Sequence, residues 1–325
     1  MDFLTDPFLI DPGRFDGPVL ITGAGGCIGA WAAAILTRSG AQVIASDLRD
    51  DRRRNEWVMG DAAADLTWET MDISDAGRLN EIVERHGVRA IIHLAGMQVP
   101  FCKADPALGA RVNVEGTVNV LQAARAADIK RTVYASSVAA LAMAPGATFM
   151  ATIYGAYKLC NEQTAAVYWQ DWRVPSVGIR PNVVYGVGRD QGMTSKCTSA
   201  LLAAMTGEAY EVPYSGRTSW LYAGEAAAAF IAAVSADQTG APTFDLNGNC
   251  ETVEAGMEEI QSLVPGSRVA VTGDPLNFPP DISDEPLRAH VGAYPQLSVK
   301  DGLAATHRAF QSLIQQGKIS AANLS

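Results

Sequence analysis

Apolar residues are grouped along this chain in short runs and in helical spacings that take turns. Val19-Leu20-Ile21-Thr22 is an apolar run too short for a helix and the right length for a buried strand. Gly23-Ala24-Gly25-Gly26-Cys27-Ile28-Gly29 follows, with Gly23, Gly26 and Gly29 three apart. Beyond it Ile28, Ala32, Ile35 and Leu36 share one helical face, and Gly40 is a natural stop. Gln42 to Ser46 reads as a second strand, ending in Asp47. Past a charged loop from Leu48 to Arg54, a third strand is expected over Leu66 to Met71, followed by Asp72-Ile73. Ser74 is placed to cap a helix carrying Leu79, Ile82 and Val83 and stopped by Gly87. Ala90 to Leu94 is a fourth strand, running into Ala95-Gly96. Asp105-Pro106 opens a long helix that carries Asn113, Gly116 and Thr117. A fifth strand, Arg131 to Ala135, ends at Ser136-Ser137, and Tyr154 to Trp169 is helical in pattern. Val177 to Ile179 is a sixth strand, leading into Arg180-Pro181, and Thr243 to Leu246 a seventh.

Strands and helices that alternate in this way predict an α/β fold: a doubly wound parallel sheet covered by helices on both faces. After Pro181 the alternation weakens and prolines and glycines recur, so a small, irregular, substrate-binding C-terminal part is expected there. The division is residues 1–16 as an N-terminal arm, 17–185 as a dinucleotide-binding domain and 186–325 as the substrate-binding part, with 222–247 returning to the sheet. The arm has four acidic residues and two prolines, unlike a signal peptide, and is expected to lie loosely on the domain unless Phe3, Phe8 and Ile10 pin it down.

Composition narrows the functions. A net charge of -10 and a pI near 4.9 argue against a nucleic-acid partner or an anionic membrane surface. No run of 18 apolar residues exists, the alanine-rich stretch near Phe230 being interrupted by Glu225 and Ser235. The five cysteines are scattered and odd in number, which suits reduced thiols in a cytoplasm and neither a metal site nor a disulfide frame. Cys27 fits the glycine loop as a small filler.

The strand, glycine loop, helix, strand and acid from Val19 to Asp47 suit a dinucleotide. Glycines let the backbone approach a pyrophosphate, helix-end N–H groups face the phosphates, and the acid takes ribose hydroxyls. Asp47 therefore points to NAD over NADP, with Arg49 and Arg52 to Arg54 close enough to soften that preference. Tyr154 and Lys158 are four apart and share a helix face. An ammonium beside a phenol, with a positive nicotinamide ring, favours the phenolate, which can take a proton from a substrate alcohol. Ser137, at the carboxyl end of a strand, is placed to hold the substrate oxygen. Tyr157 misses the four-residue spacing and reads as a substrate-side or packing residue. His93 reads as a strand-end hydrogen-bonder. Arg189, Lys196 and Arg217 are candidates to meet an anionic substrate, though each is also at home as a solvated or locally paired charge.

With these residues in place the chain resembles an extended short-chain dehydrogenase/reductase, the family of NAD-dependent epimerases, dehydratases and dehydrogenases. The resemblance covers Val19 to Phe310. It rests on Thr22 to Gly29, Asp72-Ile73, His93-Leu94-Ala95-Gly96, Asn113 to Thr117, Ser136-Ser137, Tyr154 and Lys158 with Glu162, and Arg180 to Gly186. It implies a Rossmann sheet and NAD. It implies a cofactor site made by Gly23, Gly26, Cys27, Ile28, Asp47, Asp72, Ile73, Leu94, Ala95, Gly96, Asn113, Tyr154, Lys158 and Pro181, with Asp72 and Ile73 flanking the adenine and Pro181 near the nicotinamide. Ser137, Tyr154 and Lys158 would be the catalytic set, with Lys158 also on the nicotinamide ribose. Family members commonly pair the helices near Asn113 and Tyr154 with their copies, which implies a homodimer. Dehydratases of the family carry an Asp-Glu pair just after the serine or threonine; here Val138-Ala139-Ala140 follows Ser137, so loss of water is not expected.

Three functions are weighed. The first is an NAD-dependent dehydrogenase acting on a secondary alcohol or the matching carbonyl of a small polar substrate such as a sugar acid, polyol or aromatic alcohol. The second is a nucleotide-sugar epimerase, which uses the same residues. The third is a non-catalytic dinucleotide-binding sensor, against which the retention of Ser137, Tyr154 and Lys158 counts.

Overall fold

The computed structural model describes residues 4–324. Seven strands form one parallel sheet: β1 (Val19–Thr22), β2 (Val43–Asp47), β3 (Thr67–Thr70), β4 (Ala90–His93), β5 (Arg131–Ala135), β6 (Val177–Pro181) and, after three short strands, β10 (Thr243–Leu246). The three are β7 (Val184–Tyr185), β8 (Ala209–Val212) and β9 (Arg217–Tyr222); β11 (Asn249–Thr252) and β12 (Arg268–Val271) follow β10. The spatial order is β10-β6-β5-β4-β1-β2-β3, so the order in which strands are added switches sides between β1 and β4 and a crevice opens at their carboxyl ends, where Thr22 is paired with His93. Strands buried on both faces read as continuous apolar runs, and β1 and β4 are buried at every position.

The helices of the first half are α1 (Cys27–Arg38), α2 (Arg53–Met59), α3 (Ala76–His86), α4 (Val99–Ala104), α5 (Pro106–Ala110), α6 (Gly116–Ala126) and α7 (Ile153–Trp172). Those of the second are α8 (Lys196–Thr206), α9 (Ala223–Val234), α10 (Val253–Leu263), α11 (Glu285–Val291) and α12 (Val299–Gln315). The single apolar face expected for α1 is too narrow a reading. Gly29 to Leu36 are all buried, because α1 lies against both the sheet and the alanine-rich α9. Ile28, counted on that face, is only half-buried and borders the cleft.

Ser74 is not the cap of α3. Asp75 is, accepting from the Arg78 N–H, while Ser74 donates its hydroxyl to Asp72 at 2.8 Å. Gly87 ends that helix in the left-handed conformation. The charged loop after Asp47 is shorter than the sequence suggested, since α2 begins at Arg53.

The second half builds a three-stranded sheet, β11-β9-β7, and a two-stranded one, β12-β8. The segment before β1 is anchored: Leu4 and Phe8 are buried, and the Phe8 ring packs on Trp31 and Tyr222 with centroids 6.1 Å from each. Phe3 lies outside the described residues.

Candidate active site

Two adjoining cavities make one cleft over the crevice, with Gly23, Gly26, Leu94, Gly96 and Met97 common to both. The loop between β1 and α1 forms its floor. Gly23 has φ +74°, and a Cβ on it would fall 2.6 Å from the Ala95 nitrogen. One on Gly29 would stand 2.1 Å from the Gly23 oxygen, so Gly29 lets α1 pack on its own loop. Gly26 differs: it is the N-cap of α1, faces the cleft, and has no protein atom closer than 3.1 Å to such a Cβ. Cys27 and Ile28 follow it along the wall, and burial pushes the Cys27 thiol up to about 11, which keeps it neutral.

The outer cavity, of about 410 Å³, is bordered by Asp47, Asp72, Ile73, Ala95 and Arg49. Asp47 accepts from the Gly25 and Leu48 N–H groups at 2.9 and 2.7 Å, which fixes its carboxylate at the rim with lone pairs to spare. Burial raises its pKa from the ordinary carboxylate value. Of the arginines beyond it, Arg52, Arg53 and Arg54 have carboxylate partners, Arg53 at 3.8 Å from Asp51. Arg52 pairs with Asp50 at 2.6 Å and donates to the Ala64 carbonyl. Arg54 pairs with Asp190 at 2.8 Å and donates to the Gly25 carbonyl, tying the glycine loop to the segment after β7. No sequence spacing marked that tie, because its partners are 136 residues apart.

The inner cavity, of about 260 Å³, brings together Ser137, Tyr154, Lys158 and Pro181. Lys158 is buried and donates to the Ala135 carbonyl at 2.6 Å, with Nζ 5.5 Å from the centre of the Tyr154 ring. Ser137 lies beside the Tyr154 phenol and favours its ionised form. Burial pushes the phenol up to about 12, a rise that Ser137 and the Arg189 charge oppose, and pushes Lys158 down to about 8. The phenolate expected from the Tyr154–Lys158 spacing is thus not favoured in the cofactor-free protein. Desolvation outweighs the favourable influence of Ser137 and of the Arg189 charge there.

Asn113 stands in a π-helical turn, Arg111–Glu115, between α5 and α6. The turn widens the helix locally, as such turns do beside functional sites. The Asn113 carbonyl accepts from Asn161 at 2.9 Å and Thr117 at 2.8 Å. Its side-chain amide donates to the Gly109 carbonyl, and its Oδ1 is buried without a partner. A Cβ on Gly96 would lie 2.8 Å from that Oδ1 and 3.6 Å from Lys158 Nζ, so the three meet at one point. One turn beyond Lys158, Glu162 holds Arg180 through two bonds of 2.7 and 2.6 Å and accepts from Ser136, which braces α7 against β5 and β6. His93 is a buried hydrogen-bonder between Thr22 and Thr117, held neutral by burial with its pKa down to about 3. Tyr157 donates to the Pro106 carbonyl at 2.8 Å and packs α7 on α5.

The far wall of the inner cavity comes from Gln98, Val99 and Pro100 and from Arg189, Met193, Thr194 and Phe278. Apart from Arg189 these escaped the sequence reading, since they lie on segments without periodicity. Lys196 and Arg217 do not border the cavity, and Arg217 pairs with Asp281 at 3.5 Å on the exposed side. Among the described residues no cluster of side chains suits a metal ion, and no helix is long and apolar enough to cross a membrane.

The backbone floor at Gly26 and the carboxylate at the outer rim fit an extended dinucleotide, while the orphan Asn113 Oδ1 is buried behind Gly96 and lines neither cavity. Comparison with known proteins agrees. The model of the NAD dependent epimerase/dehydratase family matches residues 19–247. A UDP-glucose 4-epimerase of Mycolicibacterium smegmatis is 26% identical over 317 residues, spanning 91% of this chain and 99% of that protein. Among solved structures, a partial-consensus L-threonine 3-dehydrogenase superposes with a TM-score of 0.78 at 25% identity, over 91% of this chain and 99% of its own. The Thermus thermophilus UDP-glucose 4-epimerase in complex with NAD gives 0.76 at 21% identity, over 90% and 99%, a likeness of fold. The chain therefore belongs to the NAD-dependent epimerase/dehydratase family of extended short-chain dehydrogenases/reductases, enzymes whose cofactor is NAD.

Proposed function

We propose that the protein is an NAD-dependent dehydrogenase acting on a secondary alcohol, or the matching carbonyl, of a small polar substrate. The observation that carries this reading is the convergence of Ser137, Tyr154 and Lys158 on one wall of a cavity of about 260 Å³ at the inner end of the dinucleotide cleft. Bound NAD supplies the hydride acceptor. Ser137 donates a hydrogen bond to the substrate oxygen and orients it. Tyr154 takes the hydroxyl proton at its phenol oxygen as general base, or returns it in the reverse direction. Lys158, held by Ala135, sets the local charge and offers its remaining N–H donors to ribose hydroxyls. Gly23, Gly26, Cys27 and Ile28 hold the pyrophosphate, Asp47 the adenosine ribose, Asp72 and Ile73 the adenine, and Leu94 to Gly96, Asn113 and Pro181 the inner half. Residues 186–325 supply the substrate side, and Val138-Ala139-Ala140 leaves no acid to expel water.

A nucleotide-sugar epimerase is the second reading, favoured by the relative from Mycolicibacterium smegmatis. Absorbance of the purified protein separates the two. An epimerase retains its cofactor through every turnover, whereas a dehydrogenase releases it and forms NADH in solution from one of a panel of sugar acids, polyols and aromatic alcohols. Protein that arrives with stoichiometric bound NAD, forms no NADH with the panel and interconverts a nucleotide sugar would replace the first reading by the second. The enzyme is further proposed to be a homodimer through α6 and α7, whose surfaces include exposed Val167 and Trp172; a monomer mass by light scattering at micromolar concentration would remove that part.

A further inference from the structure

Arg189 is the charged side chain of the inner cavity that the reaction chemistry leaves without a role. It lies just after β7 and is half-buried, and one guanidinium nitrogen donates to the Thr194 hydroxyl at 3.1 Å. Its Nε is enclosed and has no hydrogen-bond partner. Among the described residues no carboxylate comes within ion-pair distance of it, although Asp190 beside it is paired with Arg54. A guanidinium kept half-buried without a counter-ion is costly unless an anion arrives. Facing it, Gln98 Oε1 is likewise buried without a donor. The two groups nearly meet: a point one bond above Gly192 is 2.3 Å from Gln98 Oε1 and 3.3 Å from Arg189 Nη2. An unsatisfied cationic donor and an unsatisfied neutral acceptor thus border one wall of the cavity that Tyr154 and Ser137 border on another.

We infer that Arg189 and Gln98 form the substrate-anion subsite, and that the substrate is a small secondary alcohol bearing a carboxylate. The carboxylate pairs with the Arg189 guanidinium, and a hydroxyl or ammonium next to the carboxylate donates to the Gln98 side chain, both residues lining the cavity. The carbinol carbon then reaches toward Tyr154, and the rest of the molecule lies on Val99, Met193 and Phe278. A carboxylate suits the guanidinium better than any neutral group, because it answers the planar fork with two oxygens. The inference rests on the dehydrogenase reading and specifies its substrate class. The charge of Arg189 also favours ionised Tyr154, so the subsite and the proton acceptor share one field.

The test pairs hydroxy acids with their uncharged amides as substrates and compares wild type, Arg189→Ala, Arg189→Lys and Arg217→Ala by NADH formation. Wild type is expected to favour the acid over its amide by about 10²-fold in kcat/KM, the loss that follows when one partner of an enclosed charge pair is absent. Arg189→Ala should reduce that ratio to near one, Arg189→Lys should restore part of it, and Arg217→Ala, on the exposed side, should leave it unchanged. A parallel arm titrates glycolate and inorganic phosphate into the protein with NADH bound, following nicotinamide fluorescence. Saturable glycolate binding lost in Arg189→Ala supports the subsite even if no alcohol is turned over, in which case the dehydrogenase reading alone fails. Tighter binding of phosphate than of glycolate overturns the carboxylate assignment. Equal turnover of acid and amide by wild type, or an acid preference that survives in Arg189→Ala, overturns the subsite while leaving the dehydrogenase intact.

Discussion

Lys158 Nζ stands 5.5 Å from the centre of the Tyr154 ring, one helical turn away, and donates to the Ala135 carbonyl at 2.6 Å. The ammonium is buried in the process, and its pKa falls from 10.5 to about 8. Catalysis and stability therefore place opposite demands on it. A base whose folded pKa lies below its unfolded value binds fewer protons when folded, so its contribution to stability grows as pH rises from about 8 to 10.5. Below about 8 the penalty for burying the cation is present in full. Lys158→Met is expected to be at least as stable as wild type at pH 7 without NAD, with the difference shrinking as pH climbs through that window. Its turnover and its NAD affinity should both fall. Denaturant melts at several pH values read the first effect; a variant clearly less stable at pH 7 contradicts it.

The glycines of the cofactor loop separate by consequence. Gly29→Ala would set its Cβ 2.1 Å from the Gly23 oxygen, a backbone clash that has to be relieved by moving α1 off its loop. Gly26→Ala meets nothing closer than 3.1 Å and faces the cleft. Overpacking of this kind costs about 1–3 kcal/mol, so Gly29→Ala should lower the melting temperature of the cofactor-free protein. Gly26→Ala should leave that temperature nearly unchanged and weaken NAD binding at least tenfold. Fluorescence titration with NADH beside thermal melts tests the pair, and matching losses of stability in both variants would refute the distinction.

Asp47 is proposed to set the choice of cofactor through a carboxylate that is already fixed by the Gly25 and Leu48 N–H groups. It would repel a 2′-phosphate and accept from ribose hydroxyls. Wild type should use NAD with higher kcat/KM than NADP. Asp47→Ser should reverse or erase that preference, because Arg49 remains at the rim of the same cavity to meet the phosphate while Arg52 and Arg54 stay engaged with Asp50 and Asp190. Initial rates with the two cofactors decide it, and equal or better efficiency of wild type with NADP would sink the role given to Asp47.

The sheet was legible in the sequence because its inner strands, β1 and β4 above all, are buried along their length and its helices begin and end at recognisable signals, as at Asp105-Pro106 and Gly87. The match of family model and fold to the Val19–Asp47 pattern has the same origin: a dinucleotide demands a particular backbone, and the backbone demands glycines. Three features were not legible. The cap of α3 moved from Ser74 to Asp75 because Ser74 turned to its neighbour Asp72, a local competition that spacing does not resolve. The high pKa of Tyr154 comes from enclosure by segments distant in sequence, which a pairwise spacing cannot report. Gln98, Met193 and Phe278 sit on irregular segments that carry no period, and only the fold gathers them around Arg189.

The central claim is that Tyr154, and not its neighbour Tyr157, moves the substrate proton. In the cofactor-free protein the Tyr154 phenol is held up at about 12, so ionisation has to be drawn down when the positive nicotinamide binds. At saturating NAD, alcohol oxidation should rise with pH through one ionisation below that value. The measurement that bears on the claim most directly is turnover at saturating NAD in Tyr154→Phe and Tyr157→Phe, each keeping the ring and losing only the hydroxyl. Tyr154→Phe should lose about 10²–10⁴-fold in kcat, together with the pH-dependent rise, while NAD affinity changes little. Tyr157→Phe gives up only its bond to the Pro106 carbonyl and should keep most of the activity. An active Tyr154→Phe beside a dead Tyr157→Phe would contradict the assignment of the site.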